Sequence, residues 1–188
     1  MVQGLIRSLL QEDAAPYLKK YCVYIMPMAN KDGVARGRTR FNMLGMDLNR
    51  KWDLPADPYY APENYALENW LKKMIKNGKK PDLAIDLHND AIGKVHVNIP
   101  TAENARYIAN MKRFVDLLYK YTWFTEGPDN GYNPGSIGEG LTKRFGIDAC
   151  IYEFNYQWIA GLKKVPLGKD WELLGKQLRE VFFRYFEE

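Results

Sequence analysis

Short apolar runs alternate with longer amphipathic segments along this chain, and this alternation constrains the fold more than any other feature of the sequence. Apolar runs rich in β-branched or aromatic residues predict buried strands at 21–26, 83–87 and 148–154. Apolar residues at helical spacing predict helices at 63–76, 102–121 and 169–186. Strands that alternate with helices are typical of an α/β domain. We therefore expect a mostly parallel or mixed central sheet with helices on both faces.

Weaker signals complete the predicted order of elements. Residues 95–99 alternate and predict another strand, and residues 137–144 predict a short helix. Thr101 is the expected N-cap of the helix at 102–121. The opening run, MVQGLIRSLL, looks like the tail of an amphipathic helix, which suggests that a segment upstream is missing. Because 188 residues suit one domain, we expect a single domain over 1–188 that is incomplete at its N-terminus.

The composition argues against several classes of protein. The 27 basic and 23 acidic residues leave a net charge of +4, which is too diffuse to indicate a nucleic-acid binder. The sequence contains no run of about 18 apolar residues, so we expect no membrane partner. No signal peptide is recognisable, which favours the cytoplasm. Cys22 and Cys150 both lie in apolar runs and are expected to be buried free thiols.

Two polar residues stand at the carboxyl ends of predicted strands, where α/β sheets collect their chemistry. His88 follows the run at 83–87, a position that suits a zinc ligand, although a hydrogen-bonded structural histidine fits equally well. Glu153 lies inside an apolar run, where a carboxylate is costly unless it is paired or functional. The alternative is a glutamate on the polar face of an edge strand. His96, in the alternating segment, is interpreted as a surface or satisfied core residue.

The loop over residues 27–62 is long and rich in arginine, and a loop of this length in a compact domain is usually functional. Its arginines and two neighbouring asparagines are Arg36, Arg38, Arg40, Arg50, Asn42 and Asn49. Guanidinium groups bind carboxylates bidentately and stabilise oxyanions. A basic surface loop that contacts phosphate is the alternative, and spacing alone does not separate the two.

One combination of residues in this loop is specific. The run PMANKDGVARGRTRFNMLGMDLNRKW holds an Asn-x-Asp-Gly turn, a later arginine and a Gly-x-Asp-x-Asn-Arg motif. The positions are Asn30, Asp32, Gly33, Arg40, Gly45, Asp47, Asn49 and Arg50. The combination resembles the zinc metallocarboxypeptidase family and is closest to its cytosolic and bacterial branch. The segments PDLAIDLHND and ACIYEFNYQW resemble the strands that carry that family's third zinc ligand and its catalytic glutamate.

The resemblance implies a catalytic role for three residues. Glu153 would take a proton from water as the general base, and His88 would be a zinc ligand. Arg40 would stabilise the oxyanion, because its interval to the following asparagine matches the usual interval in the family. Arg36 and Arg38 are rival candidates for the oxyanion role.

The resemblance also implies a substrate and a cofactor. Asn49 and Arg50 would hold the terminal carboxylate of a peptide or amide substrate, and Tyr132 is the nearest candidate for the tyrosine that clamps it. One zinc ion is expected in the full-length protein. Its first two ligands belong to an upstream His-x-x-Glu motif that this sequence does not contain, so we expect this polypeptide by itself to bind zinc weakly.

The sequence therefore predicts a zinc-dependent metallocarboxypeptidase, in which zinc-activated water attacks a C-terminal peptide or amide bond. The alternative is a catalytically inactive protein that binds a peptide carboxylate, because two zinc ligands are missing from the sequence. An anion or nucleic-acid binder that uses the basic loop is the weakest interpretation, since aromatic and basic residues do not interleave on one face.

Overall fold

The computed structural model describes residues 1–97, 104–126 and 133–187, together with the backbone of residues 128–129. Its helices are α1 (Val2–Leu9), α2 (Ala15–Leu18), α3 (Lys31–Ala35), α4 (Pro62–Lys76), α5 (Ala105–Tyr121), α6 (Ile137–Phe145) and α7 (Gly168–Glu187). Its strands are β1 (Leu83–Asp90), β2 (Lys94–Val97), β3 (Pro128–Asp129) and β4 (Asp148–Asn155). Within the ranges described, no helix is long and apolar enough to cross a membrane.

The strands form one mixed sheet in the order β1-β4-β2-β3. β1 runs parallel to β4, β4 runs antiparallel to β2, and β2 runs parallel to β3. The predicted mixed central sheet is thereby confirmed. Because β4 pairs with β1 on one side and with β2 on the other, it is an inner strand.

One face of the sheet packs against α1, α5 and α7, which share the larger hydrophobic core. Along α5, the buried residues Met111, Phe114, Val115 and Leu118 recur at helical spacing and form one apolar stripe. Tyr152 of β4 meets this stripe with its ring centroid 6.4 Å from that of Phe114, in an edge-to-face arrangement. Burial of these side chains stabilises the packing of the helices on the sheet.

The opposite face of the sheet packs against α4 and α6. Its smaller core contains Trp52, Leu71, Leu141, Ile147 and Ala149. Ala149 and Tyr152 are an odd number of positions apart on β4, so they point to opposite faces. The prediction of helices on both faces is therefore confirmed.

A buried ion pair joins α4 to α6. Glu68 is 1% exposed, and its carboxylate accepts hydrogen bonds from Nη1 and Nη2 of Arg144 at 2.7 and 3.1 Å. The backbone N–H of Ala56 donates to the same carboxylate at 3.1 Å, and Arg144 also donates to the carbonyl oxygen of Trp52 at 2.9 Å. The pair thus fixes the end of residues 36–52, here called the arginine loop, against two helices.

The strand predicted at 21–26 is wrong, because this segment is irregular and pairs with no strand in the described part of the chain. Tyr24 and Met26 are exposed, whereas Ile25 packs partly against the larger core. Cys22 is also exposed rather than buried, while Cys150 on β4 is buried and both thiols are free. A strand needs a neighbour for its backbone N–H and C=O groups, which apolar composition does not supply.

Several element boundaries differ from the prediction by a few residues. β1 continues beyond residue 87, so His88 lies within the strand and not after it. α5 begins at Ala105, where the side chain of Asn104 accepts a hydrogen bond from the backbone N–H of Tyr107 at 3.0 Å. Thr101, the predicted cap, lies outside the described residues. The helices predicted at 63–76, 137–144 and 169–186 are confirmed by α4, α6 and α7.

Candidate active site

His88 and Glu153 are direct neighbours in the sheet. The parallel register of β1 and β4 pairs the two residues at their Cα atoms, and paired residues point to the same face. That face is the one that carries the smaller core. Glu153 lies on the inner strand β4 with its side chain 17% exposed, so its interpretation as the polar face of an edge strand is wrong.

The imidazole of His88 is held on one side only. Its Nε2 lies 2.7 Å from Oδ2 of Asp86, which is two residues earlier on β1 and therefore on the same face. Among the described residues, Nδ1 of His88 has no hydrogen-bond partner. Burial disfavours the charged ring, but the hydrogen bond and negative charge of Asp86, together with Glu153, outweigh burial and raise the pKa of His88.

The carboxyl group of Glu153 is surrounded by polar groups from β1 and β2. Nε2 of His96 lies 3.5 Å from Oε1 of Glu153. Lys94 of β2 is the register partner of Glu153. Asp90 accepts hydrogen bonds from the backbone N–H groups of residues 92 and 93 at 2.8 and 2.7 Å, and its carboxyl group interacts with that of Glu153. Burial opposes ionisation of Asp90, but these hydrogen bonds outweigh it and lower its pKa. Glu153 is therefore fixed in a charged, largely buried setting.

Side-chain hydrogen bonds and an ion pair hold the arginine loop beside the site. Oδ1 of Asp47 accepts a hydrogen bond from the backbone N–H of Asn49 at 3.0 Å, and Oδ2 of Asp47 lies 3.3 Å from Nε of Arg40. Trp52 is 2% exposed and donates from its indole nitrogen to the carbonyl oxygen of Leu48 at 2.7 Å. One aspartate and one buried tryptophan therefore hold the segment that carries the candidate arginine and asparagine.

Asn49 connects the arginine loop to the sheet and to α6. Its Oδ1 accepts a hydrogen bond from the backbone N–H of Ile137 at 2.9 Å, and its Nδ2 lies 3.5 Å from Nε2 of His88. The guanidinium of Arg50 donates to the carbonyl oxygen of Asn49 at 2.7 Å. The structure thus brings Asn49 beside His88, and Arg50 contacts the backbone of Asn49.

The three rival arginines have different surroundings. Arg38 donates to the carbonyl oxygen of Asn42 at 2.8 Å and so stabilises the loop itself. The side chain of Arg40 is 51% exposed, its Nε lies 3.3 Å from Oδ2 of Asp47, and its positive charge opposes the rise in the pKa of His88. Arg36 is exposed. The oxyanion role of Arg40, with Arg36 and Arg38 as its rivals, stays a prediction.

Two expectations, the clamping tyrosine and the zinc site, have no support among the described residues. Tyr132 lies outside the described residues. Across the described ranges, no group of three or more histidine, cysteine, aspartate or glutamate side chains is arranged to hold a metal ion. His88 contributes one imidazole, and one imidazole does not fit the three protein ligands of a catalytic zinc site. These residues by themselves therefore do not make a zinc centre.

Three residues that contact the candidates were not predicted to lie at the site. Asp86 was detectable, because a residue two positions before His88 in a strand shares its face. His96 lies between the buried residues Val95 and Val97, a pattern that placed it on the other face from them. Its contact with Glu153 depends on β2 returning beside β4, which sequence does not reveal. Asp90, two residues after His88 on β1, was detectable by the same spacing as Asp86, and its approach to Glu153 depends on the pairing of β1 with β4.

Comparison with known proteins identifies the family. The sequence model of the zinc carboxypeptidase family matches residues 1–121. Cytosolic carboxypeptidase 6 of Mus musculus is 36% identical over 201 residues, which cover 98% of this chain and 37% of that protein. Cytosolic carboxypeptidase 6 of Caenorhabditis elegans is 38% identical over 91 residues, which cover 47% of this chain and 20% of that protein.

Solved structures agree in fold. A metallo-carboxypeptidase from Burkholderia cenocepacia superposes with a TM-score of 0.81 and 20% identity, covering 98% of this chain and 51% of that chain. A metallo-carboxypeptidase from Pseudomonas aeruginosa, in complex with (2-guanidinoethylmercapto)succinic acid, superposes with a TM-score of 0.77 and 23% identity, covering 97% and 51%. The chain thus spans about half of these structures and 37% of the mouse relative. With the family model matching well over half of its residues, the chain belongs to the zinc carboxypeptidase family.

Proposed function

We propose that this chain provides the general base and the carboxylate-binding residues for hydrolysis of a C-terminal peptide or amide bond. The observation that carries the proposal is the meeting of Glu153, His88 and Asn49 on one face of the sheet. Membership of the zinc carboxypeptidase family supports the same reaction class. A free C-terminal carboxylate is the substrate feature that the arginine loop would recognise.

Glu153 is the proposed general base. A carboxylate takes a proton from the attacking water and passes it to the leaving amine, so it needs a fixed position and partial shielding from solvent. Its side chain is 17% exposed and contacts His96 at 3.5 Å, which supports this role. Arg40 is proposed to stabilise the oxyanion, because Asp47, two residues before Asn49, lies 3.3 Å from its Nε and so holds the guanidinium beside the carboxylate-binding segment.

Asn49 and Arg50 are proposed to bind the terminal carboxylate of the substrate. The amide Nδ2 of Asn49 is a donor directed toward His88, and an arginine guanidinium matches a carboxylate in charge and shape. Tyr132 stays a prediction as the residue that clamps the substrate. Binding at these positions would fix which bond lies near Glu153.

His88 is proposed as a zinc ligand. Asp86 engages Nε2, which leaves Nδ1 as the nitrogen available to a metal, and a carboxylate partner of this kind orients a ligating imidazole. The described residues add no second and third ligand, so the roles above contain no metal step. We expect zinc to bind weakly to this polypeptide by itself.

A second candidate is a protein that binds a peptide carboxylate without cutting it. The specific observation in its favour is that, in the described part of the chain, no three potential ligands are grouped for a metal. Asn49 and Arg50 would serve this function without zinc.

The cytosolic names of the curated relatives support a cytoplasmic location for either function. That neither nucleic acid nor a membrane is a partner stays a prediction.

The test uses one peptide with a free C-terminus and its C-terminal amide, each incubated with the protein and added zinc salt. Hydrolysis predicts release of the last residue from the free peptide, measured by mass spectrometry. Glu153→Gln should abolish release while binding of the peptide, measured by calorimetry, persists. The control is Glu172→Gln, on the helix that packs against the other face of the sheet.

The outcomes separate the two candidates. Binding of the free peptide without release of its last residue in the unsubstituted protein supports the second candidate. Release that continues in Glu153→Gln contradicts the assignment of the base, and failure to distinguish the free peptide from its amide contradicts both candidates.

A further inference from the structure

The start of α6 reaches the candidate carboxylate-binding pair through one side chain. The backbone N–H of Ile137, the first residue of α6, donates to Oδ1 of Asn49 at 2.9 Å. On the other side of the same amide, Nδ2 lies 3.5 Å from Nε2 of His88. Asn49 therefore spans the gap between a helix N-terminus and the site.

This contact selects one orientation of the Asn49 amide. A carboxamide presents an acceptor on one side and two donors on the other. The first turn of a helix offers unpaired N–H groups and the positive end of the helix dipole, so it donates to the oxygen of the amide. A flipped amide would place N–H donors against the N–H of Ile137. The helix start consequently directs Nδ2 toward His88, where a substrate carboxylate would accept from it.

The helix start is itself fixed to the arginine loop by a capping arrangement. Ser136 is fully buried, and its hydroxyl oxygen accepts a hydrogen bond from the backbone N–H of Glu139 at 3.3 Å. The carboxylate of Glu139, 3% exposed, accepts from the backbone N–H of Gly135. The carbonyl oxygen of Gly135 accepts in turn from the backbone N–H of Trp52 at 3.0 Å. The same turn thus holds the loop on both sides of Arg50, at residues 49 and 52.

We propose that Glu139 is a positioning residue for recognition of the substrate's α-carboxylate. It acts through Gly135 and the first turn of α6 on the amide of Asn49, and it does not contact the substrate. The inference rests on the proposed function for its ligand, a peptide with a free C-terminus. It adds a structural origin for the selectivity between a free carboxylate and an amide.

The test compares Glu139→Ala, which removes the acceptor of the Gly135 N–H, with Glu139→Gln, which keeps a carbonyl oxygen in its place. Calorimetry measures the dissociation constants of an alanine tetrapeptide with a free C-terminus and of its C-terminal amide. Asn104→Ala is the matched control, because it removes an N-cap from α5 away from the site. Circular dichroism reports folding, and if Glu139→Ala does not fold, Ser136→Gly replaces it as a cap deletion that helices tolerate.

The positioning role predicts that Glu139→Ala loses selectivity for the free carboxylate by about tenfold, the value of one hydrogen bond to a charged group. Glu139→Gln should restore most of that selectivity, and Asn104→Ala should leave it unchanged. Selectivity that survives in Glu139→Ala, or falls equally in Asn104→Ala, overturns the proposal.

A separate readout covers the case in which the unsubstituted protein does not distinguish the two peptides, which would refute the proposed carboxylate site. The side-chain amide resonances of Asn49, assigned by their disappearance in Asn49→Asp, then report its orientation by NMR. Resonances that shift in Glu139→Ala and return in Glu139→Gln support positioning by the turn. Resonances that stay in place in Glu139→Ala overturn it.

Discussion

The candidate site is assembled from two regions that are fixed by different forces. His88 and Glu153 lie on neighbouring strands whose backbones pair over eight residues each. Asn49 and Arg50 lie on the arginine loop, which is held by burial of its last residue, Trp52, in the smaller core and by contacts of Asn49 with α6 and His88. Backbone pairing distributes the stabilisation over many bonds, whereas the loop depends on single anchors. The comparison predicts that one substitution can displace the carboxylate-binding pair without displacing the general base.

The largest effect is expected for Trp52→Ala, which removes the main anchor of the arginine loop. The side chain is 2% exposed and donates to the carbonyl oxygen of Leu48, so its loss should lower the free energy of unfolding by about 3–5 kcal/mol. Denaturant titration measures the change. Trp158→Ala is the control, because that indole is 55% exposed and should cost less than about 0.5 kcal/mol.

Hydrogen exchange on the same variant tests the difference between the regions. In Trp52→Ala, the backbone amides of β1 and β4 should exchange only as fast as the lowered global stability of the variant allows. Those of the arginine loop should exchange faster, because the loop opens locally. Equal loss of protection in the strands and in the loop would show that the two regions open as one unit, and the comparison would then be wrong.

An intermediate effect is expected for Glu68→Gln, which weakens the ion pair that fixes the end of the loop. Hydrogen bonds with Arg144 and Ala56 lower the pKa of Glu68 in spite of its burial. Its contribution to stability is therefore present above the ordinary glutamate pKa of about 4.3 and is lost as the pH falls through the lower pKa of the folded state. At pH 7 the substitution should cost about 2 kcal/mol, the value of a hydrogen bond to a charged group.

The check on Glu68 is the pH dependence of unfolding between neutral and acidic pH. The unsubstituted protein should lose stability on the acid side, and Glu68→Gln should flatten that part of the curve. Glu12→Gln, an exposed residue before α2, is the control. An acid limb that is identical in Glu68→Gln and the unsubstituted protein would exclude this ion pair as a loop anchor.

The smallest effect on stability is expected in the sheet region, for Asp86→Asn. Asp86 is 30% exposed and touches His88 by its side chain, while β1 is held by its backbone, so the cost should stay below about 1 kcal/mol. The pKa of His88 should fall, because the substitution removes the charge that raises it. NMR titration of the ring measures this shift.

The sign of the pH effect provides a second check on Asp86. A raised pKa of His88 stabilises the fold below the ordinary histidine pKa of about 6.5, and the contribution disappears as the pH rises through the raised value. Asp86→Asn should therefore reduce stability on the acid side of this range only. A larger loss at alkaline pH would mean that Asp86 holds β1 itself.

The sequence predicted the parts of the site that depend on local pattern. His88 and Glu153 were found because each is a polar residue near the carboxyl end of an apolar run. The family resemblance assigned Arg40, Asn49 and Arg50 to the same candidate site. The helices were predictable because their apolar stripes repeat along the chain, as on α5.

The parts that failed depend on contacts between distant segments. The run at 21–26 is apolar, but nothing in its own residues shows whether a neighbouring strand will pair with it. The contact of His96 with Glu153 requires the strand order β1-β4-β2, in which a late strand inserts between two earlier ones. The contact of Asn49 with α6 joins residues 88 positions apart. No periodicity encodes such pairings.

The most direct test of the account is a crystal structure of Glu153→Gln with an uncut peptide that has a free C-terminus. The account predicts the terminal carboxylate within hydrogen-bond distance of Nδ2 of Asn49 and the guanidinium of Arg50, and the last peptide carbonyl between Arg40 and position 153. A peptide bound with its carboxylate remote from both Asn49 and Arg50 would contradict it.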